Sequence, residues 1–389
     1  MEKKTLLISE IFPPKNGGSG RWFWELYTRL PKNEYIIAAG KTDNDKAFDK
    51  THDLNLKRLN LSSPSWGIKS ITGLKFYWRV FNQIRKLIKQ HKIKTLHCGR
   101  CLPEGFLGYL FYKILNIPYI CYIHGEDVEA AATSRELSWI VKRVLTHATT
   151  LICNSQNTAN LILNNWQAKP DKVTILNPGC DTTKFIPAEP NFKVKETLGW
   201  GNKKVILTVG RLQERKGQDM LIKAMVEIKN AIPDALYAII GAGKEKQKLE
   251  ALVKELNLNS NVLFMSEISD EQMIQAYQQC DVFALPNRTV GQDIEGFGMV
   301  LVEAQACAKP VIAGDSGGTA ETMIIDKTGF IVDCTQPSPL ADKLIELLKN
   351  QEKQQTMGKI GRTHVLKHLD WHVHTEKAKK LFSNQKNYN

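Results

Sequence analysis

The chain has 389 residues, so a single small module is excluded and two compact domains are expected. Hydrophobic residues make up 42% and charged residues 24%, a globular balance that excludes a largely disordered or fibrous chain. The formal net charge of +13 predicts an acidic partner such as phosphate, nucleic acid or an anionic membrane.

Strand-like apolar runs alternate with amphipathic helical patterns early in the chain, which predicts βαβ units and a parallel sheet. The predicted strands are Lys4–Ile8, Tyr35–Ala39, Thr95–Cys98, Tyr119–Ile123 and Thr150–Cys153. Residues 105–123 are about as long as a membrane span. Lys113, Asn116 and Pro118 interrupt them, so we predict a buried helix followed by a strand. The N-terminus lacks the apolar length and cleavage site of a signal peptide, and we expect a cytoplasmic protein.

A glycine-rich turn follows the first predicted strand. Gly17 and Gly18 lie just before a helix that begins near Arg21. Glycines let backbone N–H groups approach a phosphate closely at a helix N-terminus, although a tight structural turn explains them equally well. The pattern G-x-G-x-x-G is missing, and so is an acidic residue at the end of the next strand, which argues against a nicotinamide cofactor.

The positive charge is concentrated between residues 54 and 113, which contain twelve basic residues and one acidic residue. Residues 77–89 show helical spacing and are interpreted as a helix packed on the sheet with a solvated basic side. In residues 62–76, aromatic and aliphatic side chains alternate with Lys69 and Lys75, a composition typical of membrane interfaces. We therefore expect this basic lobe to touch an anionic membrane surface, as a peripheral protein on its inner face.

Prolines and a glycine between residues 177 and 190 predict an interdomain linker, after which the strand and helix pattern restarts. The later predicted strands are Lys204–Gly210, Ala235–Ile240, Asn261–Met265, Val282–Leu285, Val311–Ala313 and Phe330–Val332. We predict an N-terminal α/β domain over residues 1–185 and a C-terminal α/β domain over residues 186–365. Residues 366–389 are predicted to form a C-terminal helix and tail that cross back to the N-terminal domain.

Two cations flank the loop after the first strand of the second predicted sheet. Arg211 and Lys216 stand between Gly210 and Gly217, at the carboxyl end of a strand, where α/β sheets present ligands. An arginine fork and a compact lysine together suit a diphosphate and can neutralise the charge of a departing phosphate. Surface salt bridges are the alternative interpretation.

Two carboxylates, Glu295 and Glu303, are separated by eight positions beside a glycine-rich start and an apolar helical run. If residues 297–306 form a helix, the two side chains can face one cleft at different depths. This arrangement suits a nucleotide sugar, with one carboxylate on sugar hydroxyls and the other on the ribose diol. Residues 314–321 form another glycine turn directed at the same cleft.

The eight cysteines are scattered, and Cys98 and Cys101 form a lone CxxC motif. Without a second pair nearby, buried reduced thiols are favoured over a zinc or redox site.

Several motifs together resemble the retaining glycosyltransferases of family 4, which adopt the GT-B fold of two Rossmann-like doubly wound domains facing a central cleft. The resemblance covers nearly the whole chain. It rests on Gly17-Gly18, His124-Gly125-Glu126, Gly210-Arg211 with Lys216-Gly217, Glu295 with Glu303, and residues 304–313. Residues 215–225 and 287–298 are most similar to GDP-mannose-dependent phosphatidylinositol mannoside mannosyltransferases.

The resemblance implies a hexosyltransferase (EC 2.4.1) that needs neither metal ion nor cofactor. It also implies that the N-terminal domain, residues 1–185, binds the acceptor and that the C-terminal domain, residues 186–365, binds the nucleotide sugar. Arg211 and Lys216 would hold the donor diphosphate, and Gly17 and Gly18 would approach the same phosphates. Glu295 would bind the transferred sugar. Glu303 would bind the ribose, and His124 the sugar or the charge that develops near it. The implied donor site also includes Gly296, Phe297 and Gly298.

The resemblance favours GDP-mannose over a UDP-sugar as co-substrate and a membrane glycolipid or glycan as acceptor, with no nucleic acid. No carboxylate nucleophile is identifiable, so a same-face displacement is the favoured hypothesis for retention. Two alternatives stay open. One is a nucleotide-sugar epimerase of the same fold, which would consume donor without an acceptor. The other is a basic nucleic-acid-binding protein, which would show salt-sensitive binding to duplex.

Overall fold

The computed structural model describes residues 4–15 and 17–385. The chain divides into two compact units, each with its own parallel sheet covered by helices, which confirms the predicted α/β class. The first unit contains the chain up to Pro178 and the segment from Trp371 onward, and the second contains Gly179–Asp370.

The sheet of the first unit has seven strands within the described residues, in the order β3-β2-β1-β4-β5-β6-β7. The strands are β1 (Lys4–Ser9), β2 (Tyr35–Gly40), β3 (Leu56–Leu59), β4 (Ile93–Cys98), β5 (Tyr119–Ile123), β6 (Thr150–Cys153) and β7 (Val173–Ile175). The helices that connect them are α1 (Gly18–Thr28), α2 (Asp45–Thr51), α3 (Ile71–His91), α4 (Phe106–Leu115), α5 (Glu126–Ala132), α6 (Arg135–His147) and α7 (Gln156–Asn164).

In the described part of the second unit the sheet has six strands, in the order β10-β9-β8-β11-β12-β13. They are β8 (Lys204–Val209), β9 (Ala235–Ile240), β10 (Val262–Met265), β11 (Val282–Leu285), β12 (Val311–Gly314) and β13 (Gly329–Val332). The helices are α8 (Phe192–Thr197), α9 (Gln218–Ala231), α10 (Lys246–Glu255), α11 (Asp270–Gln279), α12 (Met299–Ala306), α13 (Pro337–Lys349) and α14 (Gln351–His368).

Most residues of the inner strands are buried, because helices cover both faces of a parallel sheet. Every residue of β2, β5 and β9 is buried, which explains why these strands read as continuous apolar runs. Serine caps mark several helix starts. Ser70 accepts from the Gly73 N–H at the start of α3, and Ser269 forms a capping box with Gln272 at the start of α11.

The last helix, α15 (Trp371–Gln385), belongs to the first unit. Its side chains Trp371, Ala378 and Phe382 are buried in the same apolar cluster as Trp22 and Tyr27 of α1. The change of unit falls after residue 370 rather than after 365, since α14 continues to His368 within the second unit.

The first crossing between the units falls after Pro178, before the predicted boundary at residue 185. Phe185 is buried in the second unit and meets the Tyr277 ring edge-on at 5.6 Å. Arg362 of α14 donates to the carbonyl oxygens of Thr182 and Phe185. These contacts attach the linker to the second unit.

Sheet order determines where ligands bind in such folds. The order reverses between β1 and β4 in the first unit and between β8 and β11 in the second. Loops at the carboxyl ends of these strand pairs diverge and leave a crevice. The predicted site residues after β8 and β11 therefore lie at the switch point of their own sheet.

Gly217 allows the loop after β8 to approach the residue that follows β11, Pro286. We expect Gly217→Ala to destabilise the second unit more than Gly201→Ala does. Both glycines adopt a left-handed backbone conformation, with φ of 70° at Gly217 and 54° at Gly201. Replacing either glycine by alanine therefore has a similar conformational cost of about 1 kcal/mol. At Gly217 the added Cβ would lie 1.7 Å from the Pro286 carbonyl oxygen, whereas Gly201 has nothing within 4 Å. Calorimetric melting of the full chain measures the difference, and equal losses would contradict the packing argument.

Candidate active site

A cluster of buried charges occupies the switch point of the second sheet. Arg215 and Lys216 lie in a short 3-10 turn, Glu214–Lys216, between β8 and α9, and Glu295 lies in the loop that leads into α12. Arg215 is 6% exposed to solvent, and Lys216 and Glu295 are each 8% exposed. Charged side chains are almost never this buried unless they are paired.

The two cations share one carboxylate oxygen. Arg215 Nη1 and Lys216 Nζ each donate to Glu295 Oε2 at 2.5 Å. Arg215 Nε also contacts Asp293 Oδ1 at 2.8 Å, where the aspartate is half exposed. Arg215 therefore bridges a buried and an exposed carboxylate, while Lys216 has Glu295 alone as its ion-pair partner within the described residues.

The electrostatic balance keeps Glu295 ionised. Burial alone would raise its pKa, but the charges of Lys216 and Arg215 and their hydrogen bonds outweigh it and lower the pKa to about 2. Burial lowers the pKa of Lys216, and repulsion from Arg215 and Arg211 adds to this while Glu295 opposes it. Arg211 adds an exposed positive charge near Lys216, and exposed positive charge attracts anions.

Arg211 occupies a different position from its sequence-predicted partner Lys216. Its side chain is exposed, and its backbone carbonyl oxygen accepts from Gln218 Nε2 at 3.1 Å. Its charge nevertheless lies close enough to lower the pKa of Lys216, after burial and the repulsion from Arg215. Sequence reasoning missed Arg215 as the arginine that pairs with Glu295. The 3-10 turn directs it inward, and the spacing of charges along the chain carries no signal for that turn.

Backbone contacts hold Glu295 in place. The Gly318 N–H donates to the Glu295 carbonyl oxygen at 2.9 Å. At Gly317 an added Cβ would lie 1.8 Å from the same oxygen, so the predicted glycine turn after β12 supports the Glu295 loop. Phe297 is buried at 3% exposure, and Gly298 adopts φ 95° directly before α12. The helix begins at Met299 rather than at Phe297, and Gly296 to Gly298 form its approach.

Glu303 lies on α12 with 2% exposure. Its Oε2 accepts the hydroxyl hydrogen bond of Tyr277 at 2.8 Å, so a residue of α11 orients the carboxylate. Tyr277 is a supporting residue that sequence reasoning missed, because α11 and α12 are separated by β11 in the chain.

In the first unit, Gly17 and Gly18 lie at the start of α1, and the neighbouring Asn16 lies outside the described residues. A Cβ on Gly17 would lie 2.7 Å from Ile11 Cγ2, so the turn packs tightly against the end of β1. Arg58 holds the same turn by donating to the Pro13 carbonyl oxygen at 2.7 Å. The N-terminus of α1 at Gly18 is exposed.

His124 directly follows β5, and its ring is enclosed by Trp22 and Phe23 at 5.5 and 5.9 Å. Its Nε2 lies 2.7 Å from the Gly99 carbonyl oxygen. Since a carbonyl oxygen only accepts, Nε2 carries the hydrogen and Nδ1 of the neutral ring is an acceptor. Asp127 accepts from the His124 backbone N–H at 3.1 Å and holds this strand end in position.

A second ion network, absent from the sequence-based prediction, lies at the carboxyl ends of β1 and β4. Arg100 pairs with the Glu10 carboxylate, and Arg100 Nε lies 3.1 Å from Glu104 Oε2. The Glu10 N–H donates to Glu104 Oε1 at 2.8 Å. Burial raises the pKa of Glu104, opposed by the charge of Arg100. The network joins the two strands on either side of the switch point.

The thiols and the metal-ligating side chain types are described for residues 4–15 and 17–385. All eight cysteines lie within these residues, are buried and form no disulfide. No group of three or more His, Cys, Asp or Glu side chains in these residues could hold a metal ion.

Comparison with known proteins gives consistent similarities. Residues 16–184 match the family model "Glycosyltransferase Family 4", and residues 191–364 match "Glycosyl transferases group 1". The GDP-mannose-dependent monoacylated alpha-(1-6)-phosphatidylinositol monomannoside mannosyltransferase of Corynebacterium glutamicum is 30% identical, with 98% of each chain covered. The GDP-mannose-dependent alpha-(1-6)-phosphatidylinositol monomannoside mannosyltransferase of Mycolicibacterium smegmatis is 28% identical, again with 98% of each chain covered.

Solved structures show the same fold. Anabaena Alr3699/HepE in complex with UDP aligns with a TM-score of 0.82 at 18% identity, covering 98% of this chain and 100% of that one. Sucrose-phosphate synthase from Thermosynechococcus elongatus aligns with a TM-score of 0.82 at 22% identity, covering 100% of both. These likenesses confirm the GT-B fold expected from the sequence.

Removing the shared carboxylate tests the charge cluster. Glu295→Gln leaves the buried Lys216 without its counter-charge and Arg215 with only the half-exposed Asp293. We therefore expect the free energy of unfolding of the second unit to fall by about 3 kcal/mol. Asp293→Asn is the matched control, because the half-exposed Asp293 pair should contribute less than about 1 kcal/mol. Chemical denaturation of the full chain measures both.

Acid should remove the same stabilisation. A carboxyl group with a lowered folded-state pKa stabilises the protein above its ordinary pKa of 4.5 and loses that effect as the pH falls toward about 2. The stability difference between the wild type and Glu295→Gln should therefore shrink over this interval. A difference that stays constant down to pH of about 2 would contradict the shift.

Proposed function

The chain belongs to the glycosyltransferases of family 4, and on this basis we propose that it transfers a mannosyl group from GDP-mannose to a hydroxyl of a phosphatidylinositol-linked glycolipid. The donor and acceptor follow the printed names of relatives that match over 98% of this chain. UDP is present in a solved structure that is 18% identical, a level at which the likeness supports the fold alone. The observation that carries the proposal is the buried cation pair on Glu295 at the switch point.

Donor binding is proposed to exchange one ion pair for another. The donor diphosphate would take Lys216 Nζ from Glu295, and the exposed Arg211 would close on the same phosphates from the mouth of the loop. Phosphate oxygens are strong acceptors for both cations. Glu295 would keep Arg215 on Oε2, and its carboxylate would accept hydrogen bonds from hydroxyls of the transferred sugar. Glu303, oriented by Tyr277, would accept from the ribose diol.

Catalysis would come from positive charge placed where the leaving group develops negative charge. As the bond from the anomeric carbon to the donor phosphate breaks, Lys216 and Arg211 would stabilise the phosphate. The acceptor oxygen would bond to the same face of that carbon, and its proton would pass to the leaving phosphate oxygen. This route retains configuration without a protein nucleophile.

The first unit would contribute to the donor through the Gly17-Gly18 turn and His124. Backbone N–H groups at the exposed start of α1 are suited to phosphate oxygens. His124 presents an acceptor at Nδ1, since Nε2 donates to Gly99, and an acceptor nitrogen suits a sugar hydroxyl. The acceptor would bind in the same unit, as the predicted domain roles require.

A direct assay of donor and acceptor tests the proposal. We expect GDP and GDP-mannose to raise the melting temperature, and labelled mannose to move from GDP-mannose into phosphatidylinositol mannoside lipid. Transfer should continue in EDTA, because protein cations would neutralise the leaving phosphate. UDP-glucose is the matched control donor. Preference for UDP-glucose would contradict the donor, isomerised donor without acceptor would favour an epimerase, and loss of transfer in EDTA would contradict metal independence.

Single substitutions separate the roles of the cations. Arg211→Ala should lower kcat/KM on the order of a hundredfold, with little change in melting temperature because the side chain is exposed. Lys216→Ala should cause a comparable loss of activity and also lower the melting temperature, since Lys216 neutralises the buried Glu295. Lys223→Ala, on the exposed side of α9, is the control and should leave kcat/KM within about twofold of the wild type. Near-normal kinetics in Arg211→Ala would remove it from the site.

A further inference from the structure

Helix α3 carries two different apolar faces. One face packs into the core of the first unit through Phe76, Tyr77, Val80, Ile84, Leu87 and Ile88. On the other side, Ile71, Leu74 and Trp78 are 72%, 53% and 73% exposed. Single exposed apolar residues are normal, but these three are spaced i, i+3 and i+7 and therefore share one helix face. Such a cluster marks an interaction site.

The same outer face becomes basic farther along the helix. Continuing at helical spacing from Trp78, it carries the exposed Arg85 and Lys89, with Lys86 beside them. Lys75 flanks the apolar turns and is also exposed. The whole of α3 contains no acidic residue. An apolar tip followed by a cationic stretch matches the two layers of an anionic membrane surface, hydrocarbon and headgroup.

We propose that the first two turns of α3 insert Ile71, Leu74 and Trp78 into the acyl region of an anionic bilayer, while Arg85, Lys86 and Lys89 lie on its headgroups. The binding surface is defined as these six residues and is called the α3 surface. This inference rests on the proposed function only for its purpose, because the proposed glycolipid acceptor would lie in such a membrane. No helix in the described residues is long and apolar enough to cross a bilayer.

The α3 surface is held rigid by contacts within the first unit. Glu136 Oε1 accepts from the backbone N–H groups of Ile68 and Lys69 at 2.6 Å each, just before the helix starts. The Tyr77 hydroxyl donates to the Trp66 carbonyl oxygen at 2.8 Å. On the inner side the Phe81 ring stacks on an α4 ring, Phe111, at 4.2 Å. A preformed surface loses little conformational entropy when it binds.

These contacts also relocate the lipid-contacting segment expected from the sequence. Of its five large apolar residues, Phe76 is buried, and Trp66 and Ile68 are partly buried against the core. Ile71 and Leu74 are exposed. Trp78 is exposed on the same face, although the sequence predicts that it lies in the helix packed on the sheet. The guanidinium of Arg100 covers the Trp66 ring at 5.7 Å.

Charge favours a bilayer over a second copy of the chain. In a symmetric dimer built on the α3 surface, the same patch is used by both subunits, so each copy would bring its lysines and arginines toward those of its partner. Like charges at an interface oppose association. Anionic headgroups supply the opposite sign along the full length of the basic stretch.

Flotation with vesicles tests the α3 surface. The wild type should bind phosphatidylcholine vesicles that contain about one-third phosphatidylglycerol, and bind pure phosphatidylcholine vesicles weakly. The triple variant Ile71→Ser, Leu74→Ser, Trp78→Ser should bind the anionic vesicles at least about tenfold more weakly, because it loses the inserted area. Phe192→Ser, which removes a 50% exposed ring from the second unit, is the matched control and should bind like the wild type. Equal binding by the triple variant would overturn the proposal.

Two further readouts separate insertion from other causes. Brominated lipid should quench the tryptophan fluorescence of the wild type more than that of Trp78→Phe, and equal quenching would overturn insertion. Sedimentation velocity should give the same oligomeric state for wild type and triple variant, whereas a dimer lost in the triple variant would overturn the lipid assignment. The melting shift caused by GDP is measured in parallel. If GDP produces no shift while vesicle binding persists, the donor proposal fails and the α3 surface stands.

Discussion

The site in the second unit depends on one constraint, namely that the buried carboxylate of Glu295 must be neutralised by cations. Arg215 and Lys216 both donate to one of its oxygens, and this arrangement requires the loop after β8 to touch the segment after β11. The reversal of strand order between β8 and β11 brings these segments together, and Gly217 permits the close approach. The ion pairs at Glu295 therefore form only because the strand order places these two loops next to each other.

The first unit repeats this arrangement with different chemistry. Its sheet order reverses between β1 and β4, and the residues that follow these strands form the Glu10, Arg100 and Glu104 network. Here one cation, Arg100, pairs with two carboxylates. In the second unit two cations share Glu295, and the exposed Arg211 adds positive charge near Lys216. This contrast is the electrostatic basis for proposing the second unit as the diphosphate site and the first unit as the acceptor site.

The regular part of the fold could be predicted from the sequence, because buried parallel strands are continuous apolar runs. Strands β9 and β11 have the predicted bounds. The edge strands β3 and β7 were not predicted, because they are only partly buried and lack continuous apolar runs. The residue types at the site could be predicted as well, but the inward direction of Arg215 depends on a single 3-10 turn. The exposure of Trp78 likewise depends on which face of α3 meets the sheet, and both faces are apolar at that end.

The central claim is that the donor diphosphate replaces Glu295 as the partner of Lys216. A crystal structure of the protein with GDP-mannose tests it most directly, through the distance from Lys216 Nζ to the nearest phosphate oxygen. The account predicts a hydrogen-bond distance of about 3 Å, with Glu295 on a hydroxyl of the sugar and Arg215 still beside it. A bound donor with Lys216 still paired to Glu295 and its diphosphate held elsewhere would contradict the account.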